Sequence, residues 1–306
     1  MKLHPTGKLL LTAEYLVLDG VPALAAPTRP GQTFAVTPVP GTAEHDLYWR
    51  AYDHAGNRWF SRAFDRSEWV TAPAEGEDPA VRIRQLLAAA EALRPGCTAE
   101  INGLEVTTRL EFDRRWGLGS SSTLVAAVAR WLDVNPYALL ERTFGGSGYD
   151  LACAFADGPL LYERNGTAPA ITPLDWQPAW TRQTHFVYRN QKQNSRAGIR
   201  AYRSQTVPDS TRREVTALTT ALLSPELHLR AAAQIVRDHE RIIGETLGLP
   251  PVQQELFPDF PGQLKSLGAW GGDFMWALSE EPAEKVTGWF NERGYGVVIP
   301  YEEMLR

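Results

Sequence analysis

The stretch Trp116-Gly117-Leu118-Gly119-Ser120-Ser121-Ser122-Thr123 runs without a break into the apolar sequence Leu124 to Leu132, and no other segment restricts the fold as tightly. Backbone of this kind turns helical with its first N–H groups unpaired, at the positive end of the helix dipole. Glycines let it approach a polyphosphate closely, and hydroxyls add donors or metal contacts. Taken alone, the loop is also compatible with serines that merely cap a helix. It is not a P-loop, because no Gly-Lys-Ser/Thr stands at the helix start.

Around this loop the chain alternates strand and helix signals. Residues 7–18 read as a strand running into the Asp19-Gly20 turn, followed by strands at 32–39 and 47–52. Asp53 to Asn57 reads as a turn leading into Arg58 to Ser61. The Trp- and Arg-rich region 40–75 fits either a substrate-covering flap or a plain hairpin. Ile83, Leu86, Leu87 and Ala90 share one face of a helix over 79–93, which Pro95-Gly96 stops. A strand at 104–110, a helix opened by Asn135-Pro136 and closed by Gly145-Gly146, and a strand at 159–163 follow. Residues 169–182 are the expected linker. Beyond it stand a strand at 185–189, helices near 210–223 and 226–246, a Pro-rich loop at 250–261, a glycine-rich segment leading into a strand at 268–278, a helix at 283–293 and a strand at 295–299. This order predicts an α+β fold with two domains.

Composition narrows the partners. A net charge of −5 over 306 residues argues against nucleic acid or an acidic membrane surface, so an anionic ligand requires a local basic pocket. The apolar run near the N-terminus is broken by Glu14, which speaks against a signal peptide, and no stretch reaches the roughly 18 apolar residues of a membrane span. Cys97 and Cys153 stand outside any metal-ligand spacing, and so few thiols suit a reducing compartment. The expected location is cytoplasmic.

Three further segments bear on chemistry. Gly7-Lys8-Leu9-Leu10-Leu11-Thr12-Ala13-Glu14-Tyr15 places a lysine at the start of a buried strand. Gly146-Ser147-Gly148-Tyr149-Asp150 places a carboxylate after a flexible turn. Lys265-Ser266-Leu267-Gly268-Ala269-Trp270-Gly271-Gly272-Asp273 adds a second glycine loop. In this order, and with the 117–123 loop, they resemble the GHMP kinase superfamily, which includes galactokinase and the homoserine, mevalonate and phosphomevalonate kinases. The Gly148-Tyr149-Asp150-Leu151-Ala152 string is similar to a bacterial subgroup called GYDIA-type.

That resemblance implies a two-domain GHMP kinase fold. Residues 1–182 would form an ATP-binding domain like ribosomal protein S5 domain 2, and 183–306 a ferredoxin-like sandwich, with the active site between them. It implies ATP and Mg²⁺ as cofactors and a small hydroxyl-bearing molecule as acceptor, with the protein a monomer or homodimer. Gly117, Leu118, Gly119, Ser120, Ser121, Ser122 and Thr123 would cradle the phosphates, with Ser120 or Ser121 reaching Mg²⁺. Glu141 is the candidate second metal ligand, or else a solvent-facing helix residue. Asp150 would take the proton of the acceptor hydroxyl and Lys8 would neutralise charge beside it; the alternative is a helix-capping aspartate and a surface lysine. Glu14, Tyr15, Gly271 and Gly272 would line the acceptor pocket, although Glu14 fits a structural hydrogen bond equally well. Lys192 and Arg196 would bind an acceptor carboxylate or phosphate, or lie in a solvated loop. Trp116 would flank the adenine.

The sequence departs from the family pattern at Ala13, at Asp113-Arg114-Arg115 where a proline is common, and at Trp270, expected to narrow the site. Mevalonate is the leading acceptor and phosphomevalonate the next. A decarboxylase of the same fold and a non-catalytic ligand-binding protein are the other readings.

Overall fold

The structure is a computed structural model that describes residues 1–70, 76–191, 195–270 and 272–306, with backbone only at 195 and 196. Its first half contains β1 (Lys2–Leu3), β2 (Thr6–Leu10), β3 (Ala23–Pro38), β4 (Leu47–Tyr52), β5 (Arg58–Phe64), α1 (Ser67–Val70), α2 (Pro79–Leu93), β6 (Leu104–Leu110), α3 (Ser120–Leu132), α4 (Pro136–Arg142), α5 (Tyr149–Cys153), β7 (Leu160–Glu163) and β8 (Ala170–Pro173). These strands form one sheet in the order β5-β4-β6-β3-β7-β8, with β1 and β2 also paired to β3. The β4–β6 pair is parallel and is joined through α2, while the other pairs are antiparallel.

Local chemistry explains the helices. Asp78 accepts hydrogen bonds from the Ala80 and Val81 N–H groups, Pro79 presets the first turn, and α2 buries Ile83, Leu86, Leu87 and Ala90. Asn135 caps α4 in the same way, through Tyr137 N–H at 2.9 Å and Ala138 N–H at 3.0 Å. The apolar face of α3 packs with α2 and α4 on Phe34, Trp49 and Val106 of the sheet. Residues 47–64 form an antiparallel hairpin at the sheet edge, its turn fixed by Asn57 N–H donating to Asp53 Oδ1 at 2.8 Å.

The second half contains β9 (Thr184–Tyr188), α6 (Ser195–Arg203), α7 (Asp209–Leu222), α8 (Leu229–Leu247), α9 (Val252–Leu256), β10 (Gln263–Ser266), β11 (Phe274–Leu278), α10 (Ala283–Asn291), β12 (Val298–Pro300) and α11 (Tyr301–Met304). Its four strands lie in the order β10-β11-β9-β12, all antiparallel. Numbered along the chain, that is the 4-1-3-2 order of a ferredoxin-like split βαβ sheet. The two halves share one aromatic core in which Trp176, Trp180, Phe186, Trp276 and Tyr301 pack with Leu9, Leu24 and Phe112. Among the described residues, no helix is long and apolar enough to cross a membrane.

Three expectations need correction. The strand expected over 7–18 ends at Leu10, because Ala13 and Tyr15 take left-handed backbone angles (φ 59° and 64°) and residues 16–19 form a 3-10 turn. The strand expected at 32–39 begins much earlier: β3 passes through Pro27 and Pro30, which is possible because it changes partners there, from β2 and β7 to β6. The expected linker carries an edge strand, β8, and a 3-10 turn at 179–183. Helix α6 and strand β10 had no counterpart in the sequence reading.

Candidate active site

Two neighbouring cavities lie where the halves meet. The larger is a cleft of about 490 Å³, walled by Lys8, the 117–122 loop, Ser147, Tyr149 and Asp150 from the first half and by Ile199, Arg200, Arg203 and Asp273 from the second. The smaller, about 80 Å³, is lined by Leu10, Tyr15, Val17 and Leu18 together with Gly268 and Ala269. Lys8, Ser147, Tyr149, Ile199 and Asp273 line both, so they mark the mouth between them.

The loop is held from within. Gly117 and Gly119 adopt φ of 68° and 94°, and Gly119 is the cap residue of α3. Leu118 is fully buried, and its carbonyl accepts the Lys8 backbone N–H at 3.1 Å. Ser120 and Ser121 face the cleft at the start of a 13-residue helix with no acidic residue in its first turn, so its exposed N–H groups suit an anion. Ser122 donates to the Gly119 carbonyl at 2.8 Å. Thr123 does not belong to the cleft: its hydroxyl is buried, 2.7 Å from Gln32 Oε1 and 3.0 Å from the Ser120 carbonyl, either of which can accept its proton.

Lys8 stands at the centre. Its ammonium donates to the Gly117 carbonyl at 3.0 Å and lies 5.4 Å from the centre of the Tyr149 ring. Burial works against the charge, but Tyr149, Asp150 and Asp273 outweigh it and raise the Lys8 pKa. The cation is therefore fixed at neutral pH. Tyr149 is pushed up to about 12 by burial, against the pull of Lys8. Asp150 is the second residue of α5, behind the cap residue Gly148 (φ 90°), where an added Cβ would lie 2.8 Å from the Tyr162 hydroxyl. That hydroxyl donates to the Ser147 carbonyl at 2.7 Å, so the turn carrying Asp150 is braced.

Asp273, at the end of the third glycine loop, reaches back to the first half. A Cβ on Gly117 would lie 2.3 Å from its carboxyl carbon. Gly117→Ala is thus expected to lower the unfolding free energy by about 1–3 kcal/mol, from left-handed strain and this collision. Gly158→Ala, where a Cβ meets nothing within 4 Å, should be near neutral. Denaturant midpoints of the two variants check this, and equal midpoints would remove the constraint on Gly117.

Several expected residues lie elsewhere. Glu14 does not line either cavity: it is fully buried and ion-paired with Lys265. His239 accepts the Ala13 N–H at 2.8 Å through Nε2, which puts its proton on Nδ1, 3.9 Å from Glu14 Oε2. Burial, then Lys265, holds His239 neutral with a pKa well below the usual range. Glu240 joins the cluster by accepting the Ser266 N–H at 3.0 Å, and burial lifts it to about 7. Tyr15 does line the smaller cavity, with its hydroxyl donating to the Ala269 carbonyl at 2.9 Å. Glu141 is on the exposed side of α4, 3.6 Å from Arg164, and is not brought to the loop. Trp270 is buried in the core rather than narrowing the site, and Trp116 packs edge-on against Phe274 at 5.7 Å. Gly272 is buried and lines neither cavity. Lys192 and Gly271 lie outside the described residues, as does the Arg196 side chain. Tyr149 and Asp273 appeared in the motifs without an assigned role, and Arg200 and Arg203 were missed.

No family model and no curated protein matches the sequence. Solved structures do. A Lin0012 protein from Listeria innocua superposes with a TM-score of 0.73 at 14% identity, over 98% of this chain and 96% of the other. Phosphomevalonate kinase from Streptococcus pneumoniae, in complex with phosphomevalonate and AMPPNP, gives 0.69 at 16% identity, over 96% and 95%. Mevalonate kinase from L. major, in complex with R-mevalonate, gives 0.65 at 15% identity, over 97% and 94%. The chain therefore has the two-domain GHMP kinase fold.

Proposed function

We propose that this protein is an ATP-dependent small-molecule kinase of the GHMP type, with domains at 1–182 and 183–306, acting on an acceptor hydroxyl in the cytoplasm. The observation that carries the reading is the meeting of Lys8 and Asp150 in one cleft with the 117–122 loop. In this reading the loop and the start of α3 hold the phosphates, and the smaller cavity holds the acceptor. Asp150 takes the hydroxyl proton as the oxygen attacks the γ-phosphorus and ADP leaves. Lys8 balances the charge that spreads over the transferred group. Mg²⁺ fits this cleft, since that ion is bound through phosphate oxygens and one or two protein oxygens, which Ser121 and the Asp273 carboxylate would offer, leaving Asp150 to the hydroxyl proton. When bound it supplies charge neutralisation between the phosphates.

The walls of the acceptor cavity favour mevalonate. Leu10, Val17 and Leu18 suit an aliphatic skeleton, whereas a sugar would leave hydroxyls without partners against them. Phosphomevalonate is the second reading, because the smaller cavity opens onto the cleft that Arg200 and Arg203 of α6 line. A coupled ADP-release assay over mevalonate, phosphomevalonate, homoserine and galactose tests this: turnover with mevalonate and an intact carbon skeleton is expected. ATP binding without turnover of any acceptor would instead favour a binding protein.

A further inference from the structure

We propose that Arg200 and Arg203 form a second cationic wall of the cleft, binding the terminal phosphates of a nucleoside triphosphate opposite the glycine–serine loop; this rests on the kinase reading above. The cleft is lined by four cationic side chains, Lys8, Arg114, Arg200 and Arg203, against two carboxylates, Asp150 and Asp273. In a chain of net charge −5, that concentrates positive potential at one place.

Helix α6 is clasped into position. The Tyr202 hydroxyl donates to Asp19 Oδ2 at 2.7 Å, and Arg212 donates to the same oxygen at 3.1 Å. The Tyr202 ring stacks on Tyr15 with centroids 5.6 Å apart. Gly198 permits the approach, since a Cβ there would lie 2.1 Å from the Tyr15 hydroxyl. Gly198 and Tyr202 are one turn apart, so this face is committed to the 15–19 turn. Ile199, Arg200 and Arg203 share the adjoining face, and all three line the cleft. Ile199 also lines the acceptor cavity, which puts its neighbours Arg200 and Arg203 near the mouth that a phosphoryl group must cross. Arg212 is engaged by Asp19 and Asp209, but among the described residues neither Arg200 nor Arg203 is paired with a carboxylate. Both are exposed. Guanidinium groups that line one cleft with the glycine–serine loop, and that pair with no carboxylate among the described residues, are suited to bidentate phosphate binding.

Calorimetric titration of wild type and an Arg200→Ala/Arg203→Ala variant with ATP, AMP and inorganic tripolyphosphate tests this. Alanine favours the helix, so α6 should persist, and circular dichroism checks it. ATP and tripolyphosphate are expected to bind roughly tenfold to a hundredfold more weakly to the variant, as for loss of charged hydrogen bonds. AMP affinity should stay within about twofold, and Arg→Lys replacements should recover part of the loss. Unchanged tripolyphosphate and ATP affinities, with helix content kept, would make this a solvated helix face and overturn the proposal. A wild type that binds tripolyphosphate but no nucleotide would instead overturn the kinase reading, while the tripolyphosphate comparison still decides the role of the arginines.

Discussion

Asp150→Asn is expected to lower kcat by roughly a hundredfold to ten-thousandfold, the range for loss of a positioned general base, while ATP affinity stays within about twofold. The asparagine keeps the size of the side chain at the start of α5 and its hydrogen-bonding reach, so the braced turn on Tyr162 should hold. What it lacks is the ability to accept a proton. Phosphoryl transfer depends mainly on positioning and charge, so the lower end of the range would itself be informative: it would place most of the acceleration on Lys8 and the loop. Steady-state kinetics with the accepted substrate, together with nucleotide titration, separates the effects. Turnover equal to wild type would remove Asp150 from the chemistry. Loss of ATP affinity in parallel with kcat would mean that the carboxylate serves the nucleotide rather than the acceptor.

The second large effect is on stability. Glu14→Gln or Lys265→Met is expected to cost about 3–5 kcal/mol of unfolding free energy, because each leaves the other charge buried without its partner. Both side chains are at most 1% exposed, so solvent screening does little to soften the loss. A Glu14→Met/Lys265→Met double variant should recover most of the cost, since replacing both members of a buried pair is often near neutral. Urea titrations of the four proteins measure this. Equal midpoints for the singles and wild type would show that the pair contributes nothing. The same cluster holds the left-handed Ala13–Tyr15 segment through His239, so a rise in acceptor KM in the singles, without a change in ATP affinity, is the expected companion effect.

The sequence made the glycine–serine loop and the architecture visible because local rules govern them. Gly117 and Gly119 supply left-handed angles, Asp78-Pro79 and Asn135-Pro136 open helices, and the alternation at 104–110 is a half-buried strand. Lys8 and Asp150 were legible as a pair only through the order of the motifs, since they are far apart along the chain and adjacent only in the fold. The fate of Glu14 was legible only in part. A structural role for Glu14 was one of two readings, but its partner Lys265 is 251 residues away, so the ion pair itself could not be read locally. Thr123 looked like one more loop hydroxyl, but one residue further along α3 rotates it towards Gln32 and away from the cleft. Helix α6 was missed because only Ile199 and Tyr202 among its nine residues are large and apolar, too few to write a helical period. Strand β3 was cut short by its prolines, which normally exclude a central strand but are tolerated here where the pairing changes sides.

The contact between Gly117 and Asp273 has a mechanical meaning. One half of the molecule supplies the turn on which nucleotide would rest, and the other supplies the side chain pressed against it at the cleft. Any hinge movement that withdraws Asp273 would relax that turn, and by thermodynamic reciprocity a ligand that prefers the tightened turn draws the halves together.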